Sequence, residues 1–169
     1  MHLPIQIVDE NDEPIGVAST PEAHEKGWFH RIVYIMVEDP DGQILLQKRS
    51  SDMDAYPNCW DVSSAGHVDG GEGYLTAANR ELAEELGVQD VELEEIGTYQ
   101  SSRVFKGRKL NRFNKVYKVV VPSDTKFVIQ QSEVTAVQWF RVADVKQLIR
   151  DSPDQVAGGL VDAFSHFYV

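Results

Sequence analysis

The stretch GHVDGGEGYLTAANRELAEELGV, residues 66–88, constrains the fold more than any other part of the chain. Leu75, Ala78, Leu82 and Leu86 recur at the spacing of an amphipathic helix, which predicts a helix over residues 74–87 with those four side chains facing a core. Gly87 supplies the stop, because glycine enters the left-handed conformation that closes a helix without a Cβ penalty. On that helix Glu81, Glu84 and Glu85 stand at i, i+3 and i+4, so their carboxylates share one patch beside the buried stripe. Glu72 precedes the helix in a loop made pliable by Gly70, Gly71 and Gly73, and could fold back towards the patch. Like charges so placed repel one another, so something cationic is expected among them. Arg80 can pair with Glu84 at i+4. Divalent magnesium or manganese would also suit, since both prefer hard oxygen ligands, and magnesium commonly takes one or two carboxylates together with substrate phosphate oxygens. The alternative is a solvated acidic helix face, and spacing alone leaves both open.

Around this helix the chain reads mostly as strands. IQIVDENDEPIGVAS suggests two short extended segments about an Asn-Asp turn, and TPEAHEKG a short helical turn with Thr20 as cap, Pro21 at its first position and Gly27 as stop. Two β-branched runs flank Asp39–Gly42 and predict a hairpin. Strands are expected at about 91–103, 110–121, 126–130 and 134–140, and helices over VADVKQLIRD and DQVAGGLVDAFSHF. Trp60 and Trp139, in apolar settings, are expected in the core. This order predicts an α/β (α+β) sandwich in a single domain spanning 1–169, rather than a regular parallel βαβ repeat.

With 16 basic against 27 acidic residues, the net charge of −11 disfavours nucleic-acid polymers and membrane surfaces as partners. It does not exclude a small anion held by local cations or by metal. Cys59 is the single cysteine and cannot form an internal disulfide. The start lacks a basic segment followed by an apolar run, and no stretch approaches the roughly 18 apolar residues of a membrane span, so a cytoplasmic protein is expected. Seven of the 16 basic residues fall between Arg103 and Lys118. They suit a phosphate-bearing ligand, with Arg103 and Arg112 as first candidates. Equally, lysines could blunt the edge of a hairpin. Trp28, Phe29, Tyr56, Trp60, Tyr99 and Phe105 could stack on a base, although aromatics at strand positions more often belong to a core.

The carboxylate stretch resembles the Nudix box, G-x5-E-x7-R-E-U-x-E-E-x-G-U with U aliphatic. Gly66, Glu72, Arg80, Glu81, Leu82, Glu84, Glu85, Gly87 and Val88 match it at every defined position. The resemblance extends to LLQKRS, WDVSSAGH and EVTAVQWF. It implies an α/β/α sandwich around a mixed β-sheet, Mg2+ or Mn2+ as cofactor, and hydrolysis of a small molecule in which a diphosphate is linked to some group X. Carried over by position, Glu84 and Glu85 would be the principal metal ligands and the Gly66 carbonyl a further one. Glu81 would be a ligand or orient the nucleophilic water, Arg80 would hold Glu81, and Glu72 would be a structural partner. In some members a glutamate shortly before a Trp-containing strand is the general base, and Glu133, six residues before Trp139, has a comparable place. Homodimers are common among such small enzymes, so one is an open expectation.

VDENDEPIG, AHEKGWFHR and YPNCWDVSSAGHV are similar to the branch related to isopentenyl diphosphate isomerase, which supplies an alternative activity on isoprenoid diphosphates. The isomerase's catalytic cysteine falls at Ala65, and Cys59, six residues upstream, does not replace it. A diphosphate-contacting lysine falls at Met53, while a nearby arginine is retained as Arg49, a further substrate-binding candidate. His24, His30 and His67 resemble the isomerase's metal histidines, but the His24–His30 spacing is one residue shorter and KLNRFNKVYKV holds no matching carboxylate pair. His24 and His30 are therefore expected at the surface or in caps, and His67, at the box entrance, against substrate or metal. A binding module without turnover is a third reading, disfavoured by the intact Glu81, Glu84 and Glu85.

Overall fold

The computed structural model describes residues 3–169. Its organising element is strand β3 (Phe29–Glu38), whose alternate side chains feed two separate cores. Ile32, Tyr34 and Met36 enter one, and Val33, Ile35 and Val37 the other. Burial on both faces is what a central strand with helices on either side requires.

Ahead of it come an antiparallel pair, β1 (Ile5–Val8) and β2 (Pro14–Ala18), and helix α1 (Thr20–Lys26). After it follow β4 (Ile44–Arg49), β5 (Trp60–Asp61), β6 (Ser64–His67), α2 (Tyr74–Leu86), β7 (Glu94–Phe105), β8 (Arg108–Val120), β9 (Val134–Phe140), α3 (Val142–Asp151) and α4 (Gly158–Phe167). On one side β3 pairs in parallel with β8 from His30↔Arg112 to Glu38↔Val120, and β7 lies antiparallel outside β8. Along its other side β3 meets β1, then β6, then the first residue of β4. Helix α2 covers one face with Leu82 and Leu86. The opposite face is covered by Val145 of α3 and by Leu160 and Phe164 of α4. The result is the expected α/β/α sandwich around a mixed sheet of nine strands. Among the described residues no helix is long and apolar enough to cross a membrane.

The turn Asp39–Gly42 forms as its residues predict, with Asp39 Oδ1 accepting from the Asp41 and Gln43 amides at 3.0 and 2.8 Å. Beyond it the hairpin opens after one pair, Glu38↔Ile44, and β4 turns away to pair with β9 and β5. Ser63 bridges the gap, its Oγ accepting from the Val37 amide at 2.7 Å and donating to the Leu45 carbonyl at 2.5 Å. Two buried backbone groups that lack a strand partner are satisfied in this way.

Some local expectations are corrected. Ser19, not Thr20, caps α1, with its Oγ accepting from the Glu22 amide at 3.3 Å. Leu75 is 51% exposed, because at the first turn of α2 the adjacent Tyr74 takes the core-facing place. Residues 126–130 form no strand. They run along the end of α2, where the Val128 and Gln130 amides donate to the Leu86 and Glu85 carbonyls at 3.0 and 3.1 Å. Those carbonyls are among the ones a helix end leaves unpaired. Trp60 and Trp139 are only partly buried, at the margins of the two cores.

Candidate active site

Adjacent residues on β6 point to opposite faces of the sheet, and this alternation divides the site. Gly66 faces α2, where a Cβ on it would lie 2.1 Å from the Glu81 carboxyl group. Only glycine lets that carboxyl group approach the strand so closely. Arg80 gathers the acidic loop and helix, with Nε 2.9 Å from Glu72, Nη1 2.7 Å from Glu81 and 3.5 Å from Glu84, and Nη2 3.5 Å from Asp69. It also donates to the His67 carbonyl at 3.0 Å, which ties α2 to β6. Asp69 was not anticipated in this hub.

Glu85 is 2% exposed and accepts from Gln47 Nε2 of β4 at 2.6 Å. Burial, and then the Glu81 charge, push its carboxyl well above the usual range. Glu81 is pushed up to about 7 from 4.5, again by burial first, with Arg80 opposing and Glu84 and Glu133 adding to the rise. The Glu84 side chain is 50% exposed. Glu133 is half-buried at the end of the segment fastened to α2, its carbonyl accepting from the Ser50 amide at 2.8 Å. Its charge acts on both Glu81 and Glu85, so the fold brings it to the cluster.

The three glutamates are not drawn into one tight group, since Arg80 holds Glu81 and Glu84 while Gln47 holds Glu85. Even so, two mutually repelling carboxyl groups in a low-dielectric setting form a donor set that a divalent cation would relieve. Glu81, Glu84 and Glu85 therefore fit a hard metal ion.

On the other face His67 turns its ring to His24 and His30, and the three offer ligand atoms within 4.8 Å of one another. The expectation that His24 and His30 lie at the surface is wrong: they are 7% and 0% exposed. Burial and then Arg112 lower their pKa values to about 4 and about 3. Nothing in the sequence spacing shows this cluster, because it depends on α1 folding back and on the β3–β6 register that sets Ile32 opposite His67.

Arg103 and Arg112 line one narrow cavity beside this trio, with Tyr34, Tyr56, Ser101 and Asp162. Arg103 pairs with Asp162. Cβ atoms on Gly158 and Gly159 would lie 2.1 Å from Arg103 Nη1 and 2.8 Å from the Tyr34 ring, so the paired glycines that open α4 make room for the lining. Of the rest of the basic segment, Arg108, Lys115 and Lys118 go to ion pairs, with Asp54 at 3.3 Å, Glu95 at 3.2 Å and Glu94 at 3.8 Å. Arg49 is engaged internally, 3.1 Å from the buried Asp61 and 2.9 Å from the Ala55 carbonyl. Asp61, which the motif analysis missed, acts electrostatically on Glu85 and on Tyr34 and so lies between the two faces.

The sequence profile of the NUDIX domain matches residues 28–158. Nudix hydrolase 3 of Arabidopsis thaliana is 37% identical over 79% of this chain, but the match spans only 18% of that protein. Isopentenyl-diphosphate Delta-isomerase 2 of Photorhabdus laumondii is 31% identical, with 88% of this chain and 82% of its own length covered. Among solved structures, a Deinococcus radiodurans protein superposes with a TM-score of 0.81 at 23% identity, covering 98% of this chain and 99% of its own. The chain belongs to the Nudix family, in the branch related to isopentenyl diphosphate isomerase.

Proposed function

We propose that this Nudix pyrophosphohydrolase uses Mg2+ or Mn2+ to cleave the phosphoanhydride of a small X-linked diphosphate. The observation that carries the reading is that Glu81, with its side chain only 12% exposed against Gly66, and the buried Glu85 act electrostatically on one another. Mutually repelling carboxylates that Arg80 and Gln47 offset only in part cost stability, and a bound dication would turn that cost into affinity. Glu81, Glu84 and Glu85 would hold the ion, with the Gly66 carbonyl as a further donor. When bound, it neutralises phosphate charge and lowers the pKa of a water. Arg80 keeps Glu81 oriented, and Glu72 keeps Arg80 in place. Burial raises the Glu72 carboxyl, but the hydrogen bonds from Arg80 outweigh it, so Glu72 stays ionised as an anchor. Glu133 takes the proton of the attacking water, as a base within reach of the cluster. Arg103 and Arg112 bind X, and Arg49 acts through Asp61 as a positioning residue.

The test is a panel of X-linked diphosphates assayed with each ion, reading released phosphate and the cleaved bond. Turnover lost in Glu84→Gln and Glu85→Gln with the fold intact supports the reading. Near-wild-type turnover in both removes it.

The isomerase match favours a second reading, double-bond migration in an isoprenoid diphosphate. Against it, Ala65 stands opposite Tyr34 without an ionisable group, and Cys59 is buried elsewhere, its Sγ 3.4 Å from the Asp154 carbonyl. Incubation with isopentenyl diphosphate decides between them by product.

A further inference from the structure

We propose that His30, packed between His24 and His67, is a cradle that fixes Arg112, and that Arg112 receives an oxyanionic group, phosphate or carboxylate, on the X side of the substrate. X is defined by the hydrolase reading above, on which this rests. Among the described residues the seven other arginines all pair with carboxylates, from Arg31 with Asp12 to Arg150 with Asp151. Arg112 instead donates from Nε to His30 Nε2 at 3.4 Å. His30 Nδ1 stands 3.1 Å from the Trp28 carbonyl, which can only accept, so Nδ1 carries the proton and Nε2 is the acceptor. A carboxylate partner would cancel much of the guanidinium's charge. A neutral imidazole orients it and leaves the charge for a ligand.

Three imidazoles this close would by themselves suit zinc. Here, however, the His30 lone pair that a metal would need already faces Arg112. The groups acting electrostatically on His24 are Arg112 and Arg108, and those acting on His30 are Arg112 and His24, with no carboxylate in either set. Positive charge is already supplied here, Asp162 is taken by Arg103, and the missing complement is an anion paired with Arg112. His24 Nε2, buried and without a hydrogen-bond partner, is a further polar atom left for it. Arg112 is in register with His30 on β3 and Ser101 on β7, and it lines the cavity with Arg103. Arginine's planar fork can hold two oxygens of one oxyanion. Because Arg112 bonds His30, whose ring packs on His67, while Gly66 faces Glu81, the oxyanion bound here is distinct from the diphosphate at the carboxylates.

The test uses the full chain in EDTA, where no metal occupies the carboxylates and no turnover intervenes. Calorimetric titration with inorganic phosphate, and separately with acetate, should show binding of at least one. Arg112→Gln and His30→Phe should each weaken it by roughly tenfold to a hundredfold, as expected for a lost charge-assisted contact. Arg112→Lys should restore it only in part, because a point charge lacks the fork. His30→Asn, which keeps an acceptor, should stay close to wild type and separates lost cradling from lost folding. Independently, cobalt(II) added to the Glu84→Gln/Glu85→Gln protein should give no visible band of histidine ligation. Binding of neither anion, binding unchanged by Arg112→Gln, or tight histidine-ligated cobalt beside Arg112 overturns the proposal. None of these outcomes decides the hydrolase reading, which is judged by turnover.

Discussion

The two faces of β6 carry opposite electrostatic problems. Gly66 looks onto carboxyl groups that burial and mutual repulsion push towards protonation, while His67 looks onto imidazoles that burial and Arg112 hold neutral. The first face carries more carboxylates than Arg80 can offset, and on the second Arg112 lacks the carboxylate partner that Asp162 gives Arg103. A metal-bound diphosphate carrying an oxyanionic X would meet both needs, with Asp61 between them. Most ionisable groups in a stable core are paired within the protein, so paired deficits on either side of one strand point to a ligand that spans them.

The largest expected effect falls on the carboxylate face. Glu84→Gln or Glu85→Gln should lower kcat by roughly two orders of magnitude or more, as for loss of a charge-stabilising group, with circular dichroism unchanged. Glu133→Gln should cost on the order of a hundredfold in rate while leaving manganese affinity close to wild type, and should remove the acidic limb from the pH–rate profile, where protonation silences a base. An unchanged profile would exclude it as the base. Gly66→Ala should drive Glu81 off the strand, with a loss of about 1–3 kcal/mol measured by urea unfolding and a parallel loss of metal affinity.

A subtler comparison is in pH. In EDTA the unfolded chain releases the Glu81 proton near 4.5 and the folded chain near 7, so this group takes stability away as pH rises across that window. For His24 and His30 the unfolded state binds protons below 6.5 while the fold resists them to about 4 and about 3, so these groups take stability away as pH falls from 6.5. Relative to wild type, Glu81→Gln should therefore gain melting temperature as pH climbs from 4.5 to about 7, and His30→Asn as pH falls below 6.5. Parallel curves for the two variants would break the contrast. The smallest effect is expected at exposed Leu75, where Leu75→Ser should stay within about 0.5 kcal/mol of wild type.

What the sequence made legible was whatever depends on near neighbours along the chain. Glu81, Glu84 and Glu85 share a patch because helix geometry sets i, i+3 and i+4 together, and Gly87 ends the helix in the left-handed conformation, at φ 69°. Arg80 was expected near Glu81 and Glu84, and its embrace of Glu72 was only a loop's possibility. The His24–His30–His67 trio was legible only through the isomerase resemblance and not from spacing, since three elements must meet before those residues become neighbours. Residues 126–130 looked like a strand from their alternation, yet donating to the open carbonyls of α2 satisfies their amides equally well. That same fastening carries Glu133 to the carboxylates, a placement that only the motif resemblance anticipated.

The account's centre is that the acidic face hosts a divalent ion which grips a pyrophosphate. Manganese titrated into wild type and into Glu81→Gln/Glu85→Gln, with binding followed by electron paramagnetic resonance and calorimetry, tests it without turnover. The account predicts a site in wild type that methylene diphosphonate tightens and that the double variant loses. Manganese uptake that is absent from wild type, or that persists undiminished in the variant, would contradict it.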